Sequence, residues 1–257
     1  MKAFKKIPQN KAGKDYVIGD LHGAFDTLEL ALEQLGFNES CDRLFSVGDL
    51  IDRGPDSWKA TEFLERDYVY AVRGNHEQGL IDLFADDKVH QDVLVFAIRQ
   101  YKMNWLLEAT DDQVVAVVNA AKKLPLALEI ETEGGNIGIV HADVPEGITW
   151  QFFTECLEIP DSPYRDHALW NRTRVEFDLN IPVPGIDKVF VGHTPIEKVT
   201  RFGNICAIDT GAIFGELNQV VDGRLSVIDM SLTLDQIQAG EVYEYSLPAS
   251  ENIKALG

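Results

Sequence analysis

Five short segments of this chain combine acidic, amide and imidazole side chains with glycine or small residues, and each follows a run of hydrophobic residues. Three lie early in the chain: Gly19-Asp20-Leu21-His22-Gly23, Gly48-Asp49-Leu50-Ile51-Asp52-Arg53-Gly54 and Gly74-Asn75-His76-Glu77. Two more contain His141 and His193. Oxygen and nitrogen ligands without thiolate favour manganese, iron or zinc over a soft metal. These side chains are numerous enough to hold two divalent cations side by side.

The spacing of these residues suits a shared metal centre. Side chains at i and i+2 leave the same face of an extended segment, so Asp20 and His22 can bind one ion. The carboxylate of Asp49 can bridge two ions with one oxygen for each. Because ligands collect at the carboxyl ends of strands in open α/β sheets, the five segments can converge. Two ions about 3.5–4 Å apart would share a hydroxide and flank a phosphoryl group.

The elements that must position these residues follow a regular order. Strands are predicted over 15–20, 43–47 and 68–72, and each is followed by a helix, over 27–35, 58–64 and 77–84. This alternation favours parallel strands in an α/β fold. The later strands are predicted over 126–131, 136–140, 189–192, 206–209 and 225–230. Mostly irregular structure with short helices is predicted over 142–186.

Residues 86–124 differ from the rest and predict a helical insertion beside the site. Helical patterns cover 93–107 and 114–121, and the second helix is expected to start at Asp111-Asp112. A loose tail is expected from about 248. Because no linker separates the parts, we expect one domain over 1–257.

Composition excludes several function classes. The net charge of -19 argues against a nucleic-acid or anionic-membrane partner, since both require a basic surface. The widely spaced Cys41, Cys156 and Cys206 fit neither a disulfide framework nor a zinc ribbon. The lysines near the N-terminus are interpreted as a solvated leader, because no secretory apolar stretch follows them. We therefore expect a cytoplasmic protein without membrane spans.

The three early motifs, in this order and at this spacing, resemble the phosphoprotein phosphatase family of metallophosphoesterases, in particular its compact bacterial and phage branch. The similarity also includes His141-Ala142-Asp143 and Gly192-His193-Thr194-Pro195, and it covers roughly residues 15–215. It implies an α/β (α+β) fold, the calcineurin-like β-sandwich flanked by helices. It also implies hydrolysis of phosphoserine and phosphothreonine in proteins, with phosphotyrosine as a further candidate, by attack of a dimetal-activated hydroxide.

The resemblance assigns a role to each candidate ligand. The first metal would be held by Asp20, His22 and Asp49, and the second by Asp49, Asn75, His141 and His193. The two ions would be Mn²⁺, with iron or zinc as alternatives. The usual His-Gly-Gly of the family is His-Ala-Asp at His141, which could alter access beside the second metal.

The resemblance also assigns the catalytic residues and the phosphate-binding residues. His76 would donate a proton to the leaving alkoxide or phenolate, and Asp52 would hold its imidazole. An ion pair of Asp52 with a neighbouring arginine is the alternative. The phosphate would be bound by Arg53, Arg73 and Arg172, with Arg165 and Arg174 as competitors for the last position. Glu77 is expected to serve the start of its helix, where the dipole favours an anion.

Two other functions remain open at this point. A nucleotide hydrolase of the diadenosine tetraphosphatase type resembles this chain, but that branch usually lacks the aspartate of Asp-Arg-Gly and ends the third motif with aspartate. The presence of Asp52 and Glu77 therefore favours a protein phosphatase. A catalytically inactive binding module is disfavoured because no expected ligand is missing. Outside the site, the tryptophans are expected in the core, and the alternating Glu129, Glu131 and Glu133 on a solvated strand face.

Overall fold

A computed structural model describes residues 2–85, 91–216 and 223–246. Its strands are β1 (Phe4–Ile7), β2 (Asp15–Ile18), β3 (Arg43–Ser46), β4 (Val69–Ala71), β5 (Ala127–Thr132), β6 (Gly135–Val140), β7 (Lys188–Val191), β8 (Thr200–Phe202), β9 (Ile205–Ala207), β10 (Leu225–Asp229) and β11 (Tyr243–Tyr245). Its α-helices are α1 (Phe25–Leu35), α2 (Ala60–Leu64), α3 (Asn75–Leu83), α4 (Gln91–Tyr101), α5 (Asp111–Ala121), α6 (Trp150–Leu157), α7 (Pro163–Trp170), α8 (Thr173–Glu176), α9 (Ala212–Glu216) and α10 (Leu234–Gln238). The 3₁₀ turns are Ser57–Lys59 and Asn104–Leu107.

These strands form two mixed sheets. One has the order β11-β10-β2-β3-β4, and the other has the order β1-β5-β6-β7-β9-β8. The strands β2, β3 and β4 are parallel, as the alternation of strands and helices predicts. The strands β6 and β7 of the other sheet are also parallel, so their carboxyl ends lie together.

The core consists of three layers of buried hydrophobic side chains. Side chains from both sheets meet in the middle layer, which includes Val17, Phe45, Ile139 and Phe190. A second cluster joins the outer face of the first sheet to α1, α2 and α5. A third joins the outer face of the other sheet to α6 and α7. The architecture of two packed sheets with helices outside confirms the predicted β-sandwich flanked by helices.

The described part of the predicted insertion is mostly helical. However, the single helix predicted over 93–107 is interrupted after residue 101. Helix α4 ends at Tyr101, Lys102 has a left-handed φ of 59°, and a 3₁₀ turn follows. Helix α5 begins at Asp111, as predicted, and Thr110 caps it by accepting the Gln113 N–H. The residues 86–90 and the predicted tail from 248 lie outside the described residues. The single domain over 1–257 stays a prediction.

The N-terminal lysines are not all part of a leader, because Lys5 and Lys6 lie within strand β1, although their side chains are exposed. This strand pairs in parallel with β5, from Phe4 opposite Ala127 to Ile7 opposite Ile130. The Lys6 ammonium lies 2.8 Å from a carboxylate oxygen of Glu129. Glu129 is itself buried and also accepts the indole N–H of Trp150, so its assignment to a solvated face was wrong.

Within the described ranges, no helix has both the length and the apolar character needed to cross a membrane.

Candidate metal centre

The six predicted ligands lie at adjoining strand ends and are all buried. Asp20, Asp49 and Asn75 follow β2, β3 and β4, while His141 and His193 follow β6 and β7. None of the six, which include His22, is more than 5% exposed. Parallel pairing within each sheet and packing between the sheets therefore bring together donors that are up to 173 residues apart.

The backbone at these positions is unusual. His22, Asp49 and His193 have left-handed φ values of 49°, 50° and 69°, which non-glycine residues seldom adopt. Such strain concentrates at functional sites, where the surrounding structure maintains it. A Cβ atom at Gly192 would overlap the Asp20 carboxylate, and one at Gly74 would overlap that of Asp49. Glycine at both positions permits the close approach of the carboxylates.

Asp49 belongs to two overlapping groups of metal-ligating atoms. One group is His22, Asp49 and His76, and the other is Asp49, His141 and His193. Within each group, the candidate ligand atoms all lie within 4.8 Å of one another. Asp49 Oδ2 is 3.6 Å from His22 Nε2 and 3.4 Å from His141 Nε2. This shared position suits a carboxylate that bridges two ions.

Backbone carbonyl groups orient the imidazoles of His22 and His141. His22 Nδ1 lies 2.8 Å from the Ile51 carbonyl oxygen, and His141 Nδ1 lies 2.8 Å from that of Val47. Because a carbonyl oxygen can only accept, each Nδ1 carries the proton. The lone pair of each Nε2 is then free for a metal, which is the usual arrangement of metal-binding histidines.

Asn75 and Asp20 complete the set of donors. The Asn75 Oδ1 atom is 2.9 Å from His141 Nε2 and 2.7 Å from His193 Nδ1. Asp20 Oδ2 accepts the backbone N–H of His193 at 3.0 Å. The other oxygen, Asp20 Oδ1, is buried and has no hydrogen-bond partner among the described residues. A buried carboxylate oxygen without a partner is costly, and a bound cation would satisfy it. The residues present therefore fit a metal centre.

The electrostatics of the site also favour cations. Burial, together with neighbouring carboxylates, raises the pKa of Glu77 to about 7 and that of Asp209 to about 6, and it raises the pKa of Asp20 well above its usual range. Burial lowers the pKa of His193 to about 3 and that of His22 well below its usual range. The site thus combines crowded carboxyl groups with two imidazoles, those of His22 and His193, whose neutral form is favoured, and both features suit divalent metals. The pKa of His141 is raised instead, because the Asp49 carboxylate outweighs the effect of burial.

Glu77 has a structural role that the sequence indicated only in part. As predicted, it serves the start of helix α3, where its carboxylate accepts the Gly74 N–H at 2.8 Å. It also accepts the backbone N–H groups of Asp49 and Leu50, at 3.0 and 2.8 Å. One carboxylate therefore ties the loop after β3 to the start of α3. A glutamate at the third position of a helix signals the cap, but nothing local signals the second contact.

His76 and Asp52 form the predicted pair. His76 Nδ1 is 2.7 Å from Asp52 Oδ2, and His76 Nε2 is 4.0 Å from Asp49 Oδ2. Burial alone would lower the His76 pKa, but the carboxylates of Asp49 and Asp52 outweigh it and raise that pKa. Asp52 makes no ion pair with an arginine among the described residues. Its second oxygen accepts the indole N–H of Trp105 at 2.7 Å, a contact that the sequence did not indicate.

The candidate arginines differ in how their side chains are bound. The Arg53 guanidinium lies 5.0 Å from the Phe214 ring centroid and makes no hydrogen bond to the described residues. Arg172 donates to the His193 carbonyl oxygen at 3.0 Å, so it borders the site. Arg174 binds the buried Asp143 at 2.7 Å and also three carbonyl oxygens, which excludes it as a free phosphate ligand.

The Arg73 guanidinium, which the resemblance assigns to phosphate binding, already has hydrogen-bond partners within the protein. Its Nη1 donates to Gln78 Oε1 at 2.8 Å, and its Nη2 lies 3.2 Å from the carbonyl oxygens of Lys122 and Leu124. The side chain therefore holds the end of the insertion. A role in phosphate binding would require these bonds to exchange. Arg165 donates through Nε to the Leu157 carbonyl oxygen at 2.8 Å.

Comparisons with known proteins agree with this geometry. The model of the calcineurin-like phosphoesterase family matches residues 16–208. Serine/threonine-protein phosphatase 1 of Salmonella typhimurium is 35% identical over 219 residues, which are 82% of this chain and 93% of that protein. A symmetrical bis(5'-nucleosyl)-tetraphosphatase of Buchnera aphidicola is 41% identical over 75 residues, 28% of this chain and 27% of that protein.

The same fold is found in a solved structure. A protein serine/threonine phosphatase from Saccharomyces cerevisiae superposes with a TM-score of 0.62 at 14% identity, over 96% of this chain and 84% of that one. The shared fold, the matched family model and the high coverage of the Salmonella relative all agree with the resemblance that the sequence motifs predict. The chain is a member of the calcineurin-like phosphoesterase family, within its phosphoprotein phosphatase branch.

Proposed function

We propose that this protein hydrolyses phosphoserine and phosphothreonine in phosphorylated proteins, with two divalent metal ions. The observation that carries the proposal is the convergence of two donor groups on Asp49 beside the His76–Asp52 pair. A dinuclear site next to a proton donor suits hydrolysis of a phosphomonoester. The name of the Salmonella relative, which this chain resembles over most of its length, supports the choice of substrate.

The chain itself would hold both metals. Asp20, His22 and Asp49 would bind the first, and Asp49, Asn75, His141 and His193 would bind the second. When bound, such ions polarise phosphoryl oxygens and lower the pKa of water. We propose Mn²⁺ as the resident metal, because the donors mix carboxylate and amide oxygens with imidazoles, and iron or zinc as alternatives.

Other residues of the chain would protonate the leaving group and bind the phosphate oxygens. His76 would donate its Nε2 proton to the leaving oxygen, while Asp52 holds the opposite nitrogen. Arg53 and Arg172 would bind phosphate oxygens, and the Arg53 guanidinium makes no hydrogen bond within the described ranges that would have to break first. Arg73 is proposed as a third phosphate ligand after exchange of its present contacts. We also propose a cytoplasmic location, which the three free cysteines support.

Arg53→Ala is expected to raise KM for a phosphoserine peptide by roughly 10- to 100-fold, because a charge-assisted hydrogen bond to the phosphate is lost. Arg53→Lys is expected to recover only part of this loss, since an ammonium cannot bind two oxygens in parallel. Steady-state kinetics would measure both effects. Arg201→Ala is the matched control, because that arginine pairs with the exposed Asp235. An unchanged KM in Arg53→Ala would contradict the assignment.

A panel of substrates tests the proposed function. It comprises phosphoserine, phosphothreonine and phosphotyrosine peptides and diadenosine tetraphosphate, each with manganese and with a chelator. We expect turnover of the phosphoserine and phosphothreonine peptides that depends on metal. Faster hydrolysis of diadenosine tetraphosphate would favour the second candidate, a nucleotide hydrolase, which the local 41% identity to the Buchnera relative supports. No turnover with any metal would indicate an inactive binding module.

A further inference from the structure

The end of helix α4 and the segment that follows it reach the predicted catalytic pair. The ring of Tyr101, the last residue of α4, packs edge-on against His76, with the ring centroids 6.0 Å apart. The carbonyl oxygen of Lys102 accepts the backbone N–H of Arg53 at 2.9 Å. The indole N–H of Trp105 donates to Asp52 Oδ1 at 2.7 Å. The insertion therefore contacts His76 directly through Tyr101 and Asp52 directly through Trp105.

The conformation of Asp52 depends on contacts with other parts of the structure. It is fully buried, and it has a left-handed φ of 71°, next to Arg53 with 68°. Two consecutive non-glycine residues in this region are strained, so other parts of the structure must hold them. The backbone N–H of Asp52 donates to Ser57 Oγ at 2.8 Å, and each carboxylate oxygen has one side-chain partner. Among the described residues, Trp105 is the side chain that binds the oxygen of Asp52 that does not face His76.

We propose that Trp105 is a positioning residue for proton donation by His76 and that it acts through Asp52. The proposal rests on the proposed function. Trp105 is only 2% exposed and packs in the core, so its ring is held rigidly and its N–H points in a fixed direction. Without this donor, Asp52 Oδ1 would be buried and unpaired, and the carboxylate would rotate to find another partner. The bond to His76 Nδ1 would then lose its geometry.

This role predicts a kinetic signature that loss of stability alone would not produce. Proton donation matters most when the leaving group is a poor one, such as the alkoxide of serine. It matters least for p-nitrophenolate, which leaves readily without a proton. Removal of the indole N–H should therefore lower kcat for a phosphoserine peptide by about tenfold, which is about 1.4 kcal/mol, with a much smaller loss for p-nitrophenyl phosphate. KM should change little, because Trp105 binds no part of the substrate in this proposal.

The experiment compares two ways of removing the N–H. Trp105→Phe removes the donor but also leaves a gap in the core. Replacement of the indole of residue 105 by benzothiophene, through an unnatural amino acid, keeps the ring shape and puts sulfur in place of N–H. The matched control is Trp150→Phe, because the buried Trp150 donates to the buried Glu129 at 2.8 Å outside the site. Thermal unfolding and metal content per chain are measured for each protein loaded with manganese.

We expect Trp105→Phe and the benzothiophene replacement to lower kcat more for the phosphoserine peptide than for p-nitrophenyl phosphate. Trp150→Phe should not produce this difference between the substrates. In an Asp52→Asn background, the change to benzothiophene should have no further effect on kcat. Trp105 is proposed to act through the Asp52 carboxylate, which that variant already lacks. Equal losses for both substrates, or an unchanged rate with benzothiophene, would overturn the proposal while leaving phosphatase activity intact. Absence of turnover in the wild-type protein would instead contradict the proposed function.

Discussion

Asp49→Asn is expected to strip both metal ions from the protein and to lower kcat by at least about 1,000-fold. Asp49 is the residue that the two donor groups share, with Oδ2 within 3.6 Å of both His22 Nε2 and His141 Nε2. Asparagine keeps the size of the side chain, but it has one oxygen instead of two and no charge. It therefore cannot give an anionic oxygen to each ion.

Metal content by mass spectrometry and hydrolysis of p-nitrophenyl phosphate would check this prediction. Asp42→Asn is a suitable control, because Asp42 is also a buried carboxylate that accepts backbone N–H groups, from Lys14 and Asn38. That change should cost some stability and leave two metals per chain. Retention of two metals by Asp49→Asn would contradict the bridging role, whereas loss of one metal would assign Asp49 to a single ion.

The position of the metal centre could be predicted because its determinants are local in sequence. A short hydrophobic strand followed by a glycine and a polar residue predicts a strand end, and parallel strands bring such ends together. Asp20, Asp49 and His193 follow this pattern and lie close together in the structure. The His76–Asp52 contact rested on family resemblance, and the structure places these side chains within 2.7 Å.

Contacts between distant segments could not be predicted in the same way. The partner of the Trp105 indole lies 53 residues away, and a tryptophan expected in the core is indeed buried, but burial does not reveal which acceptor its N–H will find. Strand β1 has four residues, two of them lysines, and no clear alternation, so it exists only through pairing with β5. Pairing over such a distance overrides local preference.

The sequence also does not reveal which of several neighbouring arginines lies at the site. Arg165, Arg172 and Arg174 lie within ten residues, and residue type alone does not distinguish them. Their partners do, because Arg174 is bound to Asp143 and to carbonyl oxygens, whereas Arg172 reaches the carbonyl oxygen of His193. The helices α7 and α8 are among the short helices predicted for 142–186, but the sequence does not reveal which partner each arginine finds.

His76→Asn is expected to lower kcat for a phosphoserine peptide by about 100- to 10,000-fold, the usual contribution of a general acid, while two metals stay bound. The loss should be smaller for p-nitrophenyl phosphate, whose leaving group needs no proton. Metal retention is informative here, because a nitrogen of His76 lies within 4.8 Å of candidate ligand atoms of His22 and Asp49. His167→Asn is the control, since that histidine is partly exposed and lies 3.7 Å from Asp143. Equal losses for both substrates would refute the role of proton donor, and loss of one metal would make His76 a ligand instead.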